Sequence, residues 1–489
     1  MPPTRATEGH DEFTLDPSDW GEFRRQAMRA MESAIDHMQA SRERPVWQAL
    51  PEATQERLRS ELPIDGQTLD QVLDEVESDI LPYPYGNSHP RFWGWVNGSA
   101  LPVGILGDLL ASTLNANVGA FHHSATFVEE QVLDWMRSLL DYPGGDGILT
   151  SGGSMANLLG VNAAVVAKAG FDLRKQGLHG GPQLVVYQSS QTHNSVQKSV
   201  EMLGIGSAHL RCIEANDHLQ MDIVQLKETI HADRAAGLRP VAVIGTLGTV
   251  GTGANDPINE LADLCQAEDL WLHVDGAFGA LAWLVPERRE SLKGMQRADS
   301  LAFDLHKWLY LSSDVGCLLV RDPEGLKRAF AAEASYLTPL GGGPAAQMEG
   351  AFKDRGLELT RRFRALKVWM ALKHHGQAGF EKMIRANLDQ ALYLTELIKA
   401  ESSLELLAPT ALNVVCFRFL GPNKDQDVLN ELNRRILVEL QESGIAMPSH
   451  TLVHGNFALR AAITNHRSRR EDFKILVQAT LRLGAQFSA

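Results

Sequence analysis

The chain of 489 residues contains only four cysteines, Cys212, Cys265, Cys317 and Cys416, and no CxxC pair. Cysteines so few and so far apart fit a reducing compartment better than a disulfide framework. Basic residues are in deficit, with 46 Lys plus Arg against 60 Asp plus Glu and a net charge of −14. Such a chain repels phosphate backbones on average, which argues against a nucleic-acid partner and still permits a local pocket for a small phosphate. Long apolar runs are also missing. The longest are interrupted by Asp108 or by glycines and are too short to span a bilayer, so no membrane partner is expected. The N-terminus, MPPTRATEGHDEFTLD, has no basic start followed by an apolar stretch, so no secretory leader is expected and the expected location is cytoplasmic. The adjacent pairs His122-His123 and His374-His375 lack metal-ligand spacing and read as structural or solvated, and no metal is expected.

What is present is ordinary in bulk. A hydrophobic fraction of 44% and a charged fraction of 22% exclude global disorder and a fibrous chain. Helical spacing runs from about Asp16 to Leu62, with Phe23, Met28, Met31 and Ile35 among charges. The stretch 81–99, LPYPYGNSHPRFWGWVNGS, is too rich in proline for a regular helix. The middle of the chain alternates helical segments with short apolar runs at 184–189, 210–215, 241–248, 270–277, 300–307 and 316–322. Several runs are apolar on both faces, as a buried and mostly parallel sheet requires. Residues 425–443 read as a helix capped by Asp425 and stopped by Gly444, with Leu429, Leu432, Ile436 and Leu440 as its apolar stripe. The expected organisation is an N-terminal helical segment over 1–100, a large α/β domain over 101–365 and a small α+β domain over 366–489, with GGGP at 341–344 marking a loop.

Four segments carry chemistry. Lys307, in DLHKWLY, follows a strand and has the character of an imine-forming amine if desolvated; the bland reading is a surface lysine. Asp275 ends the strand in HVDGAFGA, where it can oppose a cationic ring nitrogen or cap the next turn. TSGGSMANLLG begins a helix whose free amides and small residues suit a phosphate, or is an ordinary helix start capped by Ser154. It is not a P-loop, because no GKS or GKT follows, nor a GxGxxG turn. His193, in QTHNSVQKS, can stack on a flat ring and exchange protons near neutrality, or be a satisfied structural histidine.

Taken together, in the order phosphate turn, histidine, aspartate, lysine, these segments resemble the group II pyridoxal-phosphate-dependent amino-acid decarboxylases, the aromatic-L-amino-acid decarboxylase-like family. The segments that carry the resemblance are HPRFWGW, TSGGSMANL, THNSVQKS, GTLGTVGTGANDP, HVDGAFGA, DLHKWLY, RRFRALKVW and LNVVCFRF. The resemblance implies an α/β fold of type I, aminotransferase-like, with a mostly parallel central sheet, as a homodimer with active sites at the subunit interface. The implied cofactor is pyridoxal 5'-phosphate. Lys307 would form the covalent imine, and His306, Gly153 and Ser154 would hold the phosphate. His193 would stack over the ring with Ala277 on its other face, Asp275 would pair with the ring nitrogen, and Thr246 would lie near the ring substituents. Trp95, Val96 and Asn97 match the family's substrate-facing stretch.

The sequence departs from the pattern at three places. Asp304-Leu305 stands where relatives often have Asn-Pro, and Met155 where many have Glu. Counting back from RRFRALKVW, Phe352 matches the tyrosine with which aromatic-amino-acid decarboxylases reprotonate the substrate carbon. Decarboxylation of an L-amino acid to the amine is therefore the leading expectation, and oxidative formation of an aldehyde, associated with phenylalanine at that position, is the alternative. A transaminase on the same fold and a non-catalytic cofactor-binding scaffold rank below these, since Lys307, Asp275 and His193 are all present. Phe92, Trp93 and Trp95 suggest a pocket edge for an aromatic or apolar substrate and could equally be core aromatics; Arg91 would suit an acidic substrate or face solvent.

Overall fold

The computed structural model describes residues 14–120, 122–332 and 351–488. The GGGP segment at 341–344 lies outside the described residues. Two compact units divide the chain, Met1–Gly86 and Asn87–Ala489. In the first, helix Trp20–Gln39 is capped by Asp19, whose side chain accepts from the Gly21 and Glu22 amides. The helical pattern expected as far as Leu62 stops at Gln39, and a short helix, Glu52–Arg57, follows Pro51. Proline and its neighbour resist continued helix, which accounts for the interruption at Pro45 and Pro51. Helix Leu69–Glu75 starts on a capping box of Thr68 and Gln71.

The second unit is built on two sheets. Its strands are β1 (Phe92–Trp93), β2 (Asp146–Thr150), β3 (Leu184–Ser189), β4 (Leu210–Ile213), β5 (Arg239–Thr246) and β6 (Trp271–Asp275). They continue with β7 (Ser300–Asp304), β8 (Gly316–Val320), β9 (Leu404–Leu406), β10 (Val414–Phe419), β11 (Met447–Val453) and β12 (Asn456–Ala462). The large sheet has the order β2-β8-β7-β6-β5-β3-β4. Only β8 runs antiparallel to its neighbours, and β2, β3, β6, β7 and β8 are buried along their whole length. Continuous apolar runs in the sequence are the signature of such two-sided burial.

The smaller sheet has the order β1-β11-β12-β10-β9. Here β1 pairs in parallel with β11, Phe92 opposite Met447 and Trp93 opposite Pro448. That pairing takes residues 87–100 into the second unit, so the expected boundary at 100 moves back to Gly86. Within Asn87–Ala489 there are two apolar cores, and the smaller one gathers Trp93 with residues from Ala391 to Leu483. Trp93 stacks on Phe473 with centroids 4.8 Å apart and belongs to the smaller core. Helix Gln426–Glu442 is capped by Asp425, buries Leu429, Leu432, Ile436 and Leu440, and ends before Gly444 at φ 66°.

The four cysteines are unpaired. Among the described residues no helix is long and apolar enough to cross a membrane, and no group of His, Cys, Asp and Glu is arranged to hold a metal ion.

One close approach joins the two sheets. The Gly98 amide donates to His306 O at 3.1 Å, and a Cβ at Gly98 would lie 2.3 Å from that oxygen and 2.5 Å from Lys307 O. Gly98→Ala must therefore push the His306–Lys307 backbone aside. It should lower stability by about 1–3 kcal/mol, as overpacking does, measured by denaturant unfolding. An unchanged unfolding midpoint would show that this contact is not tight.

Candidate active site

Parallel pairing brings the chemistry together. Thr246 at the end of β5 is opposite Asp275 at the end of β6, and Asp275 is opposite Ala302 in β7. The carboxyl ends of these strands open on a cavity of about 340 Å³, the usual place for a ligand in an open α/β sheet. The cavity is lined by Gly153, Ser154, His193, Thr246, Asp275, Ala277, His306 and Lys307, so every residue expected to hold the cofactor meets there.

At one end, β2 runs through Ser151 and Gly152 into helix Gly153–Lys168. The helix cap is Gly152 at φ 154°, not Ser154, which lies inside the first turn. A Cβ at Gly153 would come within 2.8 Å of Asp304 Oδ2 and 3.1 Å of the Ala277 side chain. Glycine therefore keeps the helix start open, where the first N–H groups lack intrahelical partners and attract an anion. These observations fit a phosphate.

Lys307 lies on the single-turn helix Leu305–Trp308 that follows β7. Its Nζ is 3.0 Å from Asp304 Oδ2. Asp304 is buried, and its Oδ1 has no hydrogen-bond partner among the described residues. His306 Nδ1 lies 2.9 Å from Val315 O.

Asp275 serves both readings of its sequence position. Oδ1 accepts from the Ala277 amide at 3.0 Å, a turn cap, and Oδ2 accepts from Asn157 Nδ2 at 2.8 Å. The carboxylate also borders the cavity, where a ring nitrogen could meet it. His193 stands on the cavity rim with Nδ1 2.8 Å from Ser195 Oγ. Partial desolvation holds its imidazole below the ordinary value, against the opposing pull of Asp275. Thr246 is fixed from below, since its amide donates to Asp256 Oδ2 at 2.8 Å. Burial pushes the Asp256 carboxyl up to about 6.

Trp95, Val96 and Asn97 do not line the cavity. Val96 is buried, Asn97 O accepts from Thr464 Oγ1 at 2.8 Å, and Trp95 is 46% exposed. Phe92 and Trp93 are core residues. Arg91 donates to Ile445 O at 2.6 Å and faces Asp472, so neither a solvent role nor a cavity role describes it.

Phe352 is the main correction. It is 1% exposed and lies outside the cavity lining. The guanidinium groups of Arg355 and Arg361 flank its ring at 4.6 and 4.9 Å. Arg361 itself is pinned to Glu129 Oε1 at 2.5 Å and Leu149 O at 2.6 Å. An aromatic ring held between two arginines is an anchor in the core and does not face a substrate carbon.

Sequence reasoning missed three groups. Asn157 and Ser195 sit inside quoted motifs, and the available signal was an Asn on the buried side of an apolar helix. Arg460 gave no local signal. It is 1% exposed and donates to Gly251 O at 3.0 Å, to Trp95 O at 2.8 Å and to Ser449 Oγ at 3.0 Å. Burial lowers its guanidinium to about 10.

Comparison with known proteins places this geometry. The family model described as the pyridoxal-dependent decarboxylase conserved domain matches residues 51–420. An aromatic-L-amino-acid decarboxylase of Bacillus atrophaeus is 34% identical over 462 residues, covering 92% of this chain and 93% of the relative. A phenylacetaldehyde synthase of Petunia hybrida is 32% identical over 469 residues, covering 92% and 90%. The crystal structure of Oryza sativa TDC with PLP and tryptamine superposes with a TM-score of 0.90 at 28% identity, covering 97% of this chain and all of that one. With the match spanning most of its length, the chain belongs to the pyridoxal-dependent decarboxylase family and is a pyridoxal-phosphate-dependent carboxy-lyase.

Proposed function

We propose that the enzyme decarboxylates an aromatic L-amino acid to its amine, with Lys307, Asp275 and His193 as the catalytic groups. The single observation that carries the assignment of roles is the meeting of Lys307, Asp275 and the open helix start at Gly153 in one cavity. The relatives named for aromatic substrates support the substrate class. The lining residue Phe278 supplies aromatic surface.

The net reaction breaks the bond between Cα and the carboxylate, releases carbon dioxide and returns one proton to Cα. When bound, pyridoxal phosphate supplies an imine-forming aldehyde and a ring that accepts the electron pair of the broken bond. Lys307 would hold the cofactor covalently through Nζ, and Asp304 keeps that nitrogen inside the cavity at 3.0 Å. Asp275 would hold a proton at the ring nitrogen. Its carboxylate is already oriented by Ala277 and Asn157, so little reorganisation is needed when charge develops. Gly153, Ser154 and His306 would hold the phosphate. Thr246, His193 and Ala277 would confine the ring between them.

The proton donor to Cα is not Phe352, which has neither an acidic hydrogen nor access to the cavity. Aldehyde formation is a second reading, favoured by likeness to the phenylacetaldehyde synthase. The enzyme is further proposed to act in the cytoplasm as a homodimer with active sites at the interface. Supporting this, Leu106, Leu109, Leu110 and Leu114 leave an apolar face exposed on helix Pro102–Leu114.

Three outcomes are expected. Borohydride should trap the cofactor on the peptide that contains Lys307, and Lys307→Ala should abolish both trapping and turnover; trapping elsewhere would refute the assignment. Asp275→Asn should lower kcat by ~100-fold or more while cofactor is retained, and a near wild-type rate would remove Asp275 from the ring-nitrogen role. Carbon dioxide, amine, aldehyde and peroxide should be measured together over a panel of L-amino acids. Aromatic substrates should give mainly amine, and Phe352→Tyr should leave the ratio unchanged. Preference for an acidic amino acid would sink the substrate reading, and a ratio moved by Phe352→Tyr alone would restore the aldehyde reading built on that residue.

A further inference from the structure

The hydrogen bonds beneath the cavity admit one consistent arrangement of protons. Asp275 Oδ2 is 2.8 Å from Asn157 Nδ2. A carboxylate only accepts, so the amide nitrogen must be the atom that faces it. The amide oxygen is left for His273 Nε2, 3.0 Å away, which must then carry hydrogen. His273 Nδ1 is the bare nitrogen and accepts from Ser300 Oγ at 2.7 Å, while Ser300 accepts from Trp271 Nε1 at 2.8 Å. Burial lowers the His273 imidazole to about 4, so this ring stays neutral at ordinary pH.

The other branch reaches the cavity. Asn157 Nδ2 also donates to Ser195 Oγ at 3.0 Å. The Ser195 backbone amide, which can only donate, points at His193 Nδ1 at 3.2 Å, so that nitrogen is the acceptor and the Ser195 hydroxyl, 2.8 Å away, turns its own hydrogen toward it. With Nδ1 accepting, the hydrogen of the neutral His193 ring sits on Nε2. The ring then offers the cavity a donor and not a base.

We propose that Asn157 is a positioning residue that joins Asp275 to His193 through Ser195 and holds His193 as the neutral ring with hydrogen on Nε2. The use made of that ring in catalysis rests on the decarboxylase reading; the arrangement of protons does not. Flipping the amide would break every one of these bonds, because its oxygen serves His273 and its nitrogen serves both Asp275 and Ser195. The charged groups that face His193 are Asp275 and Asp304, which favour its protonation, and Lys307 and Lys198, which oppose it.

The test uses full-length, cofactor-free protein with nitrogen-15 in its histidines, His193 being assigned by the signal lost in His193→Gln. Wild type should show His193 as the Nε2–H ring, titrating below an ordinary histidine. In Asn157→Leu only the longer backbone contact still favours that ring, so an Nδ1–H population should appear. In Asn157→Asp a second acceptor stands at Ser195, and the His193 titration should rise by about one pH unit or more. Ser195→Ala cuts the same link with a smaller change and should alter the His193 signal as well. It carries the test if the Asn157 variants fold poorly by circular dichroism. With cofactor restored, Asn157→Leu should lower kcat with little change in KM. Wild-type His193 as the Nδ1–H ring, or a His193 tautomer and titration unchanged in folded Asn157 or Ser195 variants, would overturn the proposal. Because the nuclear resonance arm needs no turnover, its failure is separable from failure of the decarboxylase reading.

Discussion

A carboxylate buried at the end of a parallel strand is the constraint around which the site is arranged. Asp275 is 3% exposed, and an ionised group taken so far out of water costs several kcal/mol unless donors or an opposite charge surround it. Two donors are in place, Ala277 N and Asn157 Nδ2. The remaining direction is the cavity, where a cationic ring nitrogen would complete the set. Asn157 can serve Asp275 only because His273, Ser300 and Trp271 fix the far end of its amide. One buried charge thus dictates a polar chain that runs beneath the sheet and surfaces again at His193.

The parts of the fold that were legible in the sequence are those specified locally. The run LVVYQS corresponds to β3 residue for residue, and Asp425 with Gly444 delimits its helix, because two-sided apolar runs and capping groups need no knowledge of distant neighbours. The helical pattern beyond Gln39 failed where prolines overrode apolar spacing. The place of 87–100 was not legible. β1 is two residues long, and its partner lies some 350 positions away in β11, so no local pattern announces the pairing. Trp93, offered by its neighbours as a pocket aromatic, is instead drawn into the smaller core by Phe473.

The site divides in the same way. Lys307, Asp275, Gly153 and His193 stand out because each is a reactive or permissive residue at a strand or helix end, where side chains converge in an open α/β sheet. Asn157 and Ser195 carry no such mark, since an amide and a hydroxyl acquire meaning only from partners that come from β6 and from the loop after β3. Phe352 was misread for a related reason. Position along a chain, counted back across a gapped segment, says nothing about whether Arg355 and Arg361 will enclose a ring.

The charge balance of the cavity explains why its phosphate end is built from backbone. Among the described residues that line it, Lys307 is the only lysine or arginine, and it is opposed at 3.0 Å by Asp304. With Lys307 Nζ committed to the cofactor, the carboxyl groups of Asp304 and Asp275 would stay beside an incoming phosphate, with no second lysine or arginine among the described lining residues to neutralise it. On the proposed assignment the work would fall on His306 and on the first-turn amides of helix Gly153–Lys168, since such amides attract an anion through oriented dipoles without a counter-charge. Dipoles act only at close range, and close range is what Gly152 and Gly153 permit. A side chain at either would press on His306 or on Asp304, with a Cβ at 3.1 Å from the His306 ring or 2.8 Å from Asp304 Oδ2. The glycine turn is therefore the consequence of an acidic cavity that must bind an acidic group.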